Sequence, residues 1–298
     1  VVMKPAPQDP LAIIELMACV EEVGFPPGVV NCIVGSKAEV GEALVTSANV
    51  DMISFTGSTA VGSAIFEAGG FTMKRLLLEL GGKGACLVLA DADLAKAVEA
   101  LVSVWGFHSG QICTAPTRAI VHRSKYDALV EALAAAAPQL TIGPPESPDT
   151  VVGPVISGAH RIRIDAYIQS GADEGGDVRV DGRRPAHLDR GYYVGPTLIA
   201  GCDNRMKVVR EEIFGPVIVV VPFDDEDEGI AIANDTDFGL YNYVFSEDTG
   251  RAFEVAQQLE SGNVGINTAQ RNHETPFGGW KMSGVGRDGG VYGLHAYT

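Results

Sequence analysis

The sequence predicts an α/β protein built on a mostly parallel, doubly wound sheet. Three observations carry this. Strand-like and helix-like segments alternate along the first ~90 residues. The helix-like segments repeat their apolar residues at helical spacing and end on stop signals such as Gly24. The 298 residues are 46% hydrophobic and 20% charged, enough for one large core or two ordinary ones.

The elements follow in order. Asp9 is placed to cap a helix, with Pro10 in its first turn and Leu11, Ile14, Met17 and Ala18 along one face. Residues 29–34 form a short apolar strand candidate. Val40, Ala43 and Leu44 mark a second helix. Residues 52–55 read as a strand, 58–68 as a helix and 76–80 as a strand. The alternation continues with a strand at 85–89 and a helix at 93–105 capped by Asp93. Then come a strand at 118–122, an alanine-rich helix at 126–137 and a Pro- and Gly-rich loop at 141–149. The run Asp224-Asp225-Glu226-Asp227-Glu228 complements the dipole of a following helix as a solvated N-terminus, and is not read as a metal site.

Charge and cysteine usage exclude several classes. A net charge of -16 repels nucleic acid and anionic membrane alike. No apolar stretch approaches ~18 residues and no signal peptide is visible, so no membrane partner is expected. The five cysteines show no CxxC spacing. Cys19, Cys32 and Cys86 lie in apolar runs and read as small buried hydrophobes in a reducing, cytoplasmic setting. The six histidines have no ligand-type spacing, so no metal is expected.

Three motifs carry chemistry. Phe55-Thr56-Gly57-Ser58-Thr59 follows a strand and opens a helix, which would aim backbone N–H groups at a phosphate. Without the full GxGxxG spacing, a serine-capped tight turn is the competing reading. Cys113, in Gly110-Gln111-Ile112-Cys113, is the one cysteine in polar surroundings. Such surroundings favour the reactive thiolate, against the alternative of an inert loop thiol. Glu79 ends the apolar run Leu76-Leu77-Leu78-Glu79-Leu80, where α/β proteins build their sites. Burial there would raise its pKa and suit it to general base work, unless Lys83 or Arg75 pairs with it.

Together with Lys4-Pro5, Leu78-Glu79-Leu80-Gly81-Gly82-Lys83, Glu211-Glu212-Ile213-Phe214-Gly215-Pro216 and Pro276-Phe277-Gly278-Gly279, these stretches occur in the order and at the spacing of one family. Over its whole length the chain resembles the aldehyde dehydrogenase superfamily. The resemblance implies part of a Rossmann-like cofactor domain over residues 1–82 and an α/β catalytic domain over 83–282. Residues 283–298 would lead toward an oligomerisation strand. It implies Cys113 as the nucleophile and Glu79 as the base that activates water. It implies Glu212 at the nicotinamide ribose with Phe214 beside the ring, Lys4 at the adenosine ribose, and Gly57 and Ser58 at the pyrophosphate. Leu80 belongs to the same cofactor set. Phe107 and Phe277 would line the path of the aldehyde.

The cofactor expected is NAD, with NADP left open because Pro7 stands where NAD-preferring members often carry a glutamate. The partners expected are a small aldehyde and further copies of the chain, as a homodimer or homotetramer. The family's asparagine oxyanion donor falls before Lys4-Pro5, so a polypeptide limited to residues 1–298 is expected to turn over poorly. Two other readings compete. Coenzyme A-acylating relatives commonly lack the glutamate seen here as Glu79. A non-catalytic use of the fold would not require Cys113, Glu79 and Glu212 together.

Overall fold

The computed structural model describes residues 1–298, which fall into two compact units, residues 1–53 with 63–76 and residues 54–62 with 77–298. The first unit opens with β1 (Val2–Met3), α1 (Leu11–Glu22), β2 (Asn31–Cys32) and α2 (Ala38–Thr46). β1 and β2 pair in parallel, Val2 opposite Asn31 and Met3 opposite Cys32. A parallel pair needs a crossover, and α1 supplies it.

Three expectations fail in this unit. Pro10, not Asp9, is the N-cap of α1, and no side chain caps that end. The Asp9 N–H is instead bonded to Ala6 O in a turn at 3.2 Å, which sets the aspartate one residue too early. The expected strand over 29–34 shrinks to β2. Cys19 is exposed and Cys32 half-buried, because none of the residues of α1 or β2 is fully buried. Apolar periodicity marks a face without saying what covers it.

The chain continues through β3 (Met52–Thr56), α3 (Thr59–Gly70) and β4 (Arg75–Glu79). Before β4, the largely buried Lys74 donates from Nζ to the carbonyls of Ser47 and Val50, 2.6 Å each. The turn after α2 is thereby satisfied.

The second unit holds the main sheet. Its elements are β5 (Ala85–Val88), α4 (Leu94–Gly106), β6 (Arg118–His122), α5 (Arg123–Ala136), α6 (Gly158–Asp173), β7 (Asp177–Val180), β8 (Thr197–Ala200), α7 (Lys207–Arg210) and β9 (Val217–Phe223). There follow α8 (Glu226–Asn234), β10 (Phe238–Gly239), β11 (Tyr241–Phe245), α9 (Thr249–Ala256), β12 (Asn263–Ile266), β13 (Trp280–Lys281), β14 (Gly284–Val285) and α10 (Gly290–His295). Seven strands lie in the order β12-β11-β5-β6-β9-β8-β7. All neighbours are parallel except the antiparallel edge pair of β7 and β8. The parallel sheet therefore centres on residues 85–266 and not on the first ninety. β4 stands apart in a three-stranded sheet, β14-β4-β3, where it meets β14 antiparallel with Glu79 opposite Gly284.

Helices cover both faces of the seven-stranded sheet. On β5, Cys86 and Val88 enter the cluster of Leu101, Trp105, Leu129 and Leu133 from α4 and α5, while Ala85 and Leu87 enter that of Ile230, Ala233 and Val255 from α8 and α9. On β9, Ile218 and Val220 face the first cluster, and Val217, Val219 and Val221 face Ile164 and Ile168 of α6. The period of two along each strand feeds two cores. Asp93 caps α4 as expected, accepting from the Ala95 N–H at 3.0 Å. Asp225 accepts from the Glu228 N–H at 3.0 Å, so the acidic run is the N-terminal turn of α8. No helix is long and apolar enough to cross a membrane.

Candidate active site

Cys113 sits in a loop that follows a strained stretch of backbone. After α4 the chain passes through His108, Ser109 and Gly110 at φ +50°, +55° and +73°. Left-handed conformations at the two non-glycine residues cost about 1–3 kcal/mol each, and surrounding contacts must impose them. Ser109 Oγ donates to Gly153 O at 2.9 Å. Gln111 Oε1 accepts from the Ile156 N–H at 2.9 Å, and its Nε2 donates to His108 O at 3.0 Å. A β-carbon on Gly110 would lie 2.1 Å from Gly215 O, so glycine is required by packing as well as by φ. Just beyond the cysteine, the Tyr243 hydroxyl donates to Thr114 O at 2.6 Å.

The Leu78 to Lys83 stretch meets this loop from the other side. A β-carbon on Gly82 would stand 2.3 Å from the Cys113 carbonyl oxygen, and one on Gly81 2.3 Å from Glu212 Oε2. The Gly82 N–H donates to Glu212 Oε1 at 2.9 Å. Glu79, at the end of β4, is 6% exposed, and neither carboxylate oxygen has a hydrogen-bond partner, so Lys83 does not pair with it. Glu79 and Glu212 are each close enough for their charges to act on the Cys113 thiol.

Electrostatics follow from burial. Glu79 is pushed up to about 7, first by desolvation and then by the charge of Asp288, against the opposing pull of Arg287 and Arg271. Cys113 is pushed up to about 11, by burial and by the Glu212 and Glu79 carboxylates, while its own backbone N–H and Arg271 oppose the shift. The polar sequence around Cys113 had favoured a thiolate. The structure instead shields the sulfur beside two acids, so the resting group is a thiol. Glu212 is raised by burial and held down by the Gly82 N–H, Lys83 and Arg163.

The remaining site residues fall as follows. The Gly57 N–H donates to Glu79 O at 3.1 Å, and a β-carbon at Gly57 would lie 2.5 Å from the Phe55 ring. Ser58 Oγ accepts from the Val61 N–H at 3.4 Å at the start of α3. The Leu80 N–H donates to Ser283 O at 3.0 Å, and the space left by Gly62 seats its side chain. Phe214 has φ +59°, and its carbonyl lies 2.6 Å from His160 Nε2. Phe277 lies tilted against Tyr241, ring centroids 6.5 Å apart. Phe107 is 53% exposed and stacks on His108 at 4.3 Å. Lys4 belongs to the first unit, where its Nζ donates to Pro5 O at 2.7 Å.

Three residues that act on Glu79 gave no signal in the sequence, and Lys83, which did, does not pair with it. Asp288, Arg287 and Arg271 reach Glu79 through long-range folding. Lys83 is buried with no hydrogen-bond partner on Nζ, and burial, then the charge of Arg118, brings it down to about 7. Motif spacing flagged the glycines around Glu79, but their β-carbon clearances appear only in three dimensions. No group of three or more His, Cys, Asp or Glu side chains is arranged to hold a metal ion.

The model of the Aldehyde dehydrogenase family matches residues 1–298. A putative aldehyde dehydrogenase of Staphylococcus saprophyticus is 41% identical over 298 residues, covering all of this chain and 63% of that protein. The structure is similar to an aldehyde dehydrogenase of Mycobacterium tuberculosis complexed with NAD+, at TM-score 0.96 and 40% identity, over 99% of this chain and 61% of that one. It is similar also to a betaine aldehyde dehydrogenase of Staphylococcus aureus in complex with NAD+, at TM-score 0.96 and 40% identity, over 99% of this chain and 59% of that one. The chain thus spans about three-fifths of the length of these relatives, between 59% and 63%.

Proposed function

The chain belongs to the aldehyde dehydrogenase family, and we propose that the full-length protein oxidises a small aldehyde to its carboxylic acid with NAD as hydride acceptor. The observation that carries the reading is the enclosure of Cys113, Glu79 and Glu212 in one site, with Gly81 and Gly82 shaped to admit two of them.

The cofactor fit rests on Glu212. Its Oε1 is anchored on the Gly82 N–H, while Oε2 makes no hydrogen bond within the chain and can accept one from a ribose hydroxyl. Phe214 would pack beside the nicotinamide. Gly57, Ser58, Leu80 and Lys4 are the further contacts that the family resemblance assigns. When bound, NAD supplies the acceptor for the hydride lost from the aldehyde carbon.

The protein's own groups do the rest. The Cys113 sulfur, once deprotonated, adds to the carbonyl carbon and forms a thiohemiacetal, splitting one difficult step into two. The backbone N–H of Cys113 is one donor to the oxyanion. Loss of hydride from that carbon leaves a thioester on Cys113. Glu79 then takes a proton from water, whose oxygen attacks the thioester; the acid leaves and the thiolate returns. A base near 7 is matched to that step at neutral pH. Free acid, not acyl-coenzyme A, is therefore the product.

The same reading makes the enzyme cytoplasmic and a homodimer or homotetramer, which sedimentation of the full-length protein tests. For the chemistry, the test is a panel of aldehydes with NAD and NADP, with the product identified. Glu79→Gln is expected to accumulate an acyl group on Cys113, seen as added mass. Turnover that survives Cys113→Ala would sink the mechanism.

A further inference from the structure

Arg271 is an exposed cation whose charge reaches Glu79 and Cys113 but which forms no ion pair within the chain. Its guanidinium lies over the Phe277 ring, 4.3 Å from the centroid. Phe277 is fixed by a reciprocal backbone bridge to Asp288, 2.7 Å in each direction. The next residue, Gly278, abuts the base, since a β-carbon there would be 2.9 Å from Glu79 Oε1. The stacked arginine is thus carried one residue from the glutamate that activates water. Its charge also acts on the Cys113 thiol and on Tyr241, whose ring faces Phe277.

No ion pair of the chain includes Arg271. Its one hydrogen bond is to His273 Nδ1 at 3.1 Å. A guanidinium presents five N–H donors in a fixed fork, so most of them are left for something from outside the chain. The group whose geometry matches that fork is a carboxylate.

We propose that Arg271 is a substrate-specificity residue, and that the aldehyde oxidised by the full-length protein carries a carboxylate at the end remote from its carbonyl. This rests on the oxidoreductase reading above. The carbonyl faces Cys113 and Glu79 while the carboxylate is met by the arginine beyond Phe277. A cationic aldehyde would be repelled by the same group, so this chain should part company with its betaine aldehyde dehydrogenase relative in substrate charge. The overall negative charge does not oppose this, because solvent and salt screen distant surface charges while the stacked arginine acts at contact.

Arg271 could instead only balance the nearby Glu79, Glu212 and Asp288 charges. Its removal would then slow every aldehyde alike. The test uses full-length protein saturated with NAD and three probes: 4-oxobutanoate, its neutral methyl ester and betaine aldehyde. The expected order of kcat/KM is anion, then ester, then cation, with at least about a tenfold gap between the first two. Arg271→Met should lower kcat/KM for 4-oxobutanoate by about 10–100-fold and move the ester less than about threefold. Arg271→Lys should recover part of the loss. The residue is exposed, so an unchanged melting temperature is expected for both variants. An ester used as well as the anion overturns the proposal, as does an equal loss on both probes. Failure to oxidise any of the three, or any aldehyde of the wider panel, overturns the oxidoreductase reading itself and this assignment with it.

Discussion

A β-carbon on Gly82 would sit 2.3 Å from the carbonyl oxygen of Cys113. Real side chains do not approach backbone that closely, so the loop carrying the nucleophile is seated against a bare glycine. Gly82→Ala must push the Cys113 carbonyl away by about 1 Å, and a shift of that size in the backbone that carries the reacting sulfur costs about 10² in rate. The variant is expected to fold and to lose kcat by that order. Steady-state kinetics of the full-length protein beside a thermal melt checks it. A kcat within threefold of wild type would show that the loop does not depend on this contact.

Glu79 gives two pH signatures. The first is kinetic: the base form grows as pH rises through about 7, so hydrolysis of the thioester should gain rate over that range. Asp288→Asn removes the charge that raises Glu79 and should move the acid limb to lower pH. The second is thermodynamic. The folded value of about 7 stands above the ordinary 4.5, so ionisation opposes folding. The stabilising contribution is complete below pH 4.5 and is lost as pH rises through about 7. Glu79→Gln should therefore stabilise the protein at pH 8 by up to about 3 kcal/mol and leave it unchanged near pH 4. Denaturant melts at the two pH values decide it.

What could be read in advance depended on whether neighbours in sequence carried the signal. The helix that Asp93 opens, the strand at 118–122, the helix after it and the helix after the acidic run were legible because caps, periodicity and apolar runs are local. The placement of β4 was not: its partner is Gly284 and Val285, at the far end of the chain, and no local pattern announces that pairing. Cys113, Glu79 and Glu212 could be singled out as candidates because each lies in a motif. Arg271, Arg287 and Asp288 gave no sequence signal because only folding brings their charges to Glu79. Cys19 was misread because an apolar helix face says nothing of its cover.

Cys113 is expected to react slowly with alkylating agents in the absence of cofactor. With its pKa near 11, only about one sulfur in a thousand is thiolate at pH 8. The carboxylates of Glu212 and Glu79 are part of the cause, so Glu212→Gln and Glu79→Gln should each speed alkylation at that pH. Labelling with iodoacetamide, followed by mass mapping of Cys113, gives the rates. Slower labelling in both variants would mean that the acids support the thiolate instead of opposing it.

Arg118 anchors the back of the site, and its removal should unfold the protein before it changes the chemistry. The side chain is fully buried on β6. Its Nε donates to Lys83 O at 3.0 Å, one NH group to Ile232 O at 3.2 Å and the other to Ala233 O at 2.8 Å. Lys83 directly follows the Gly81-Gly82 pair that receives Glu212 and Cys113, so the arginine ties that turn to the C-terminal end of α8. Arg118→Met fills most of the volume but strands the buried carbonyls of Lys83 and Ala233, and unsatisfied buried polar groups cost about 1–3 kcal/mol each. It also relieves Lys83 of a like charge, which should raise the lysine from about 7 and return part of the loss below that pH. The net expectation is destabilisation by about 3–5 kcal/mol, larger at pH 8 than at pH 6. Chemical denaturation at both pH values measures it, and a loss under 1 kcal/mol would refute the anchoring role.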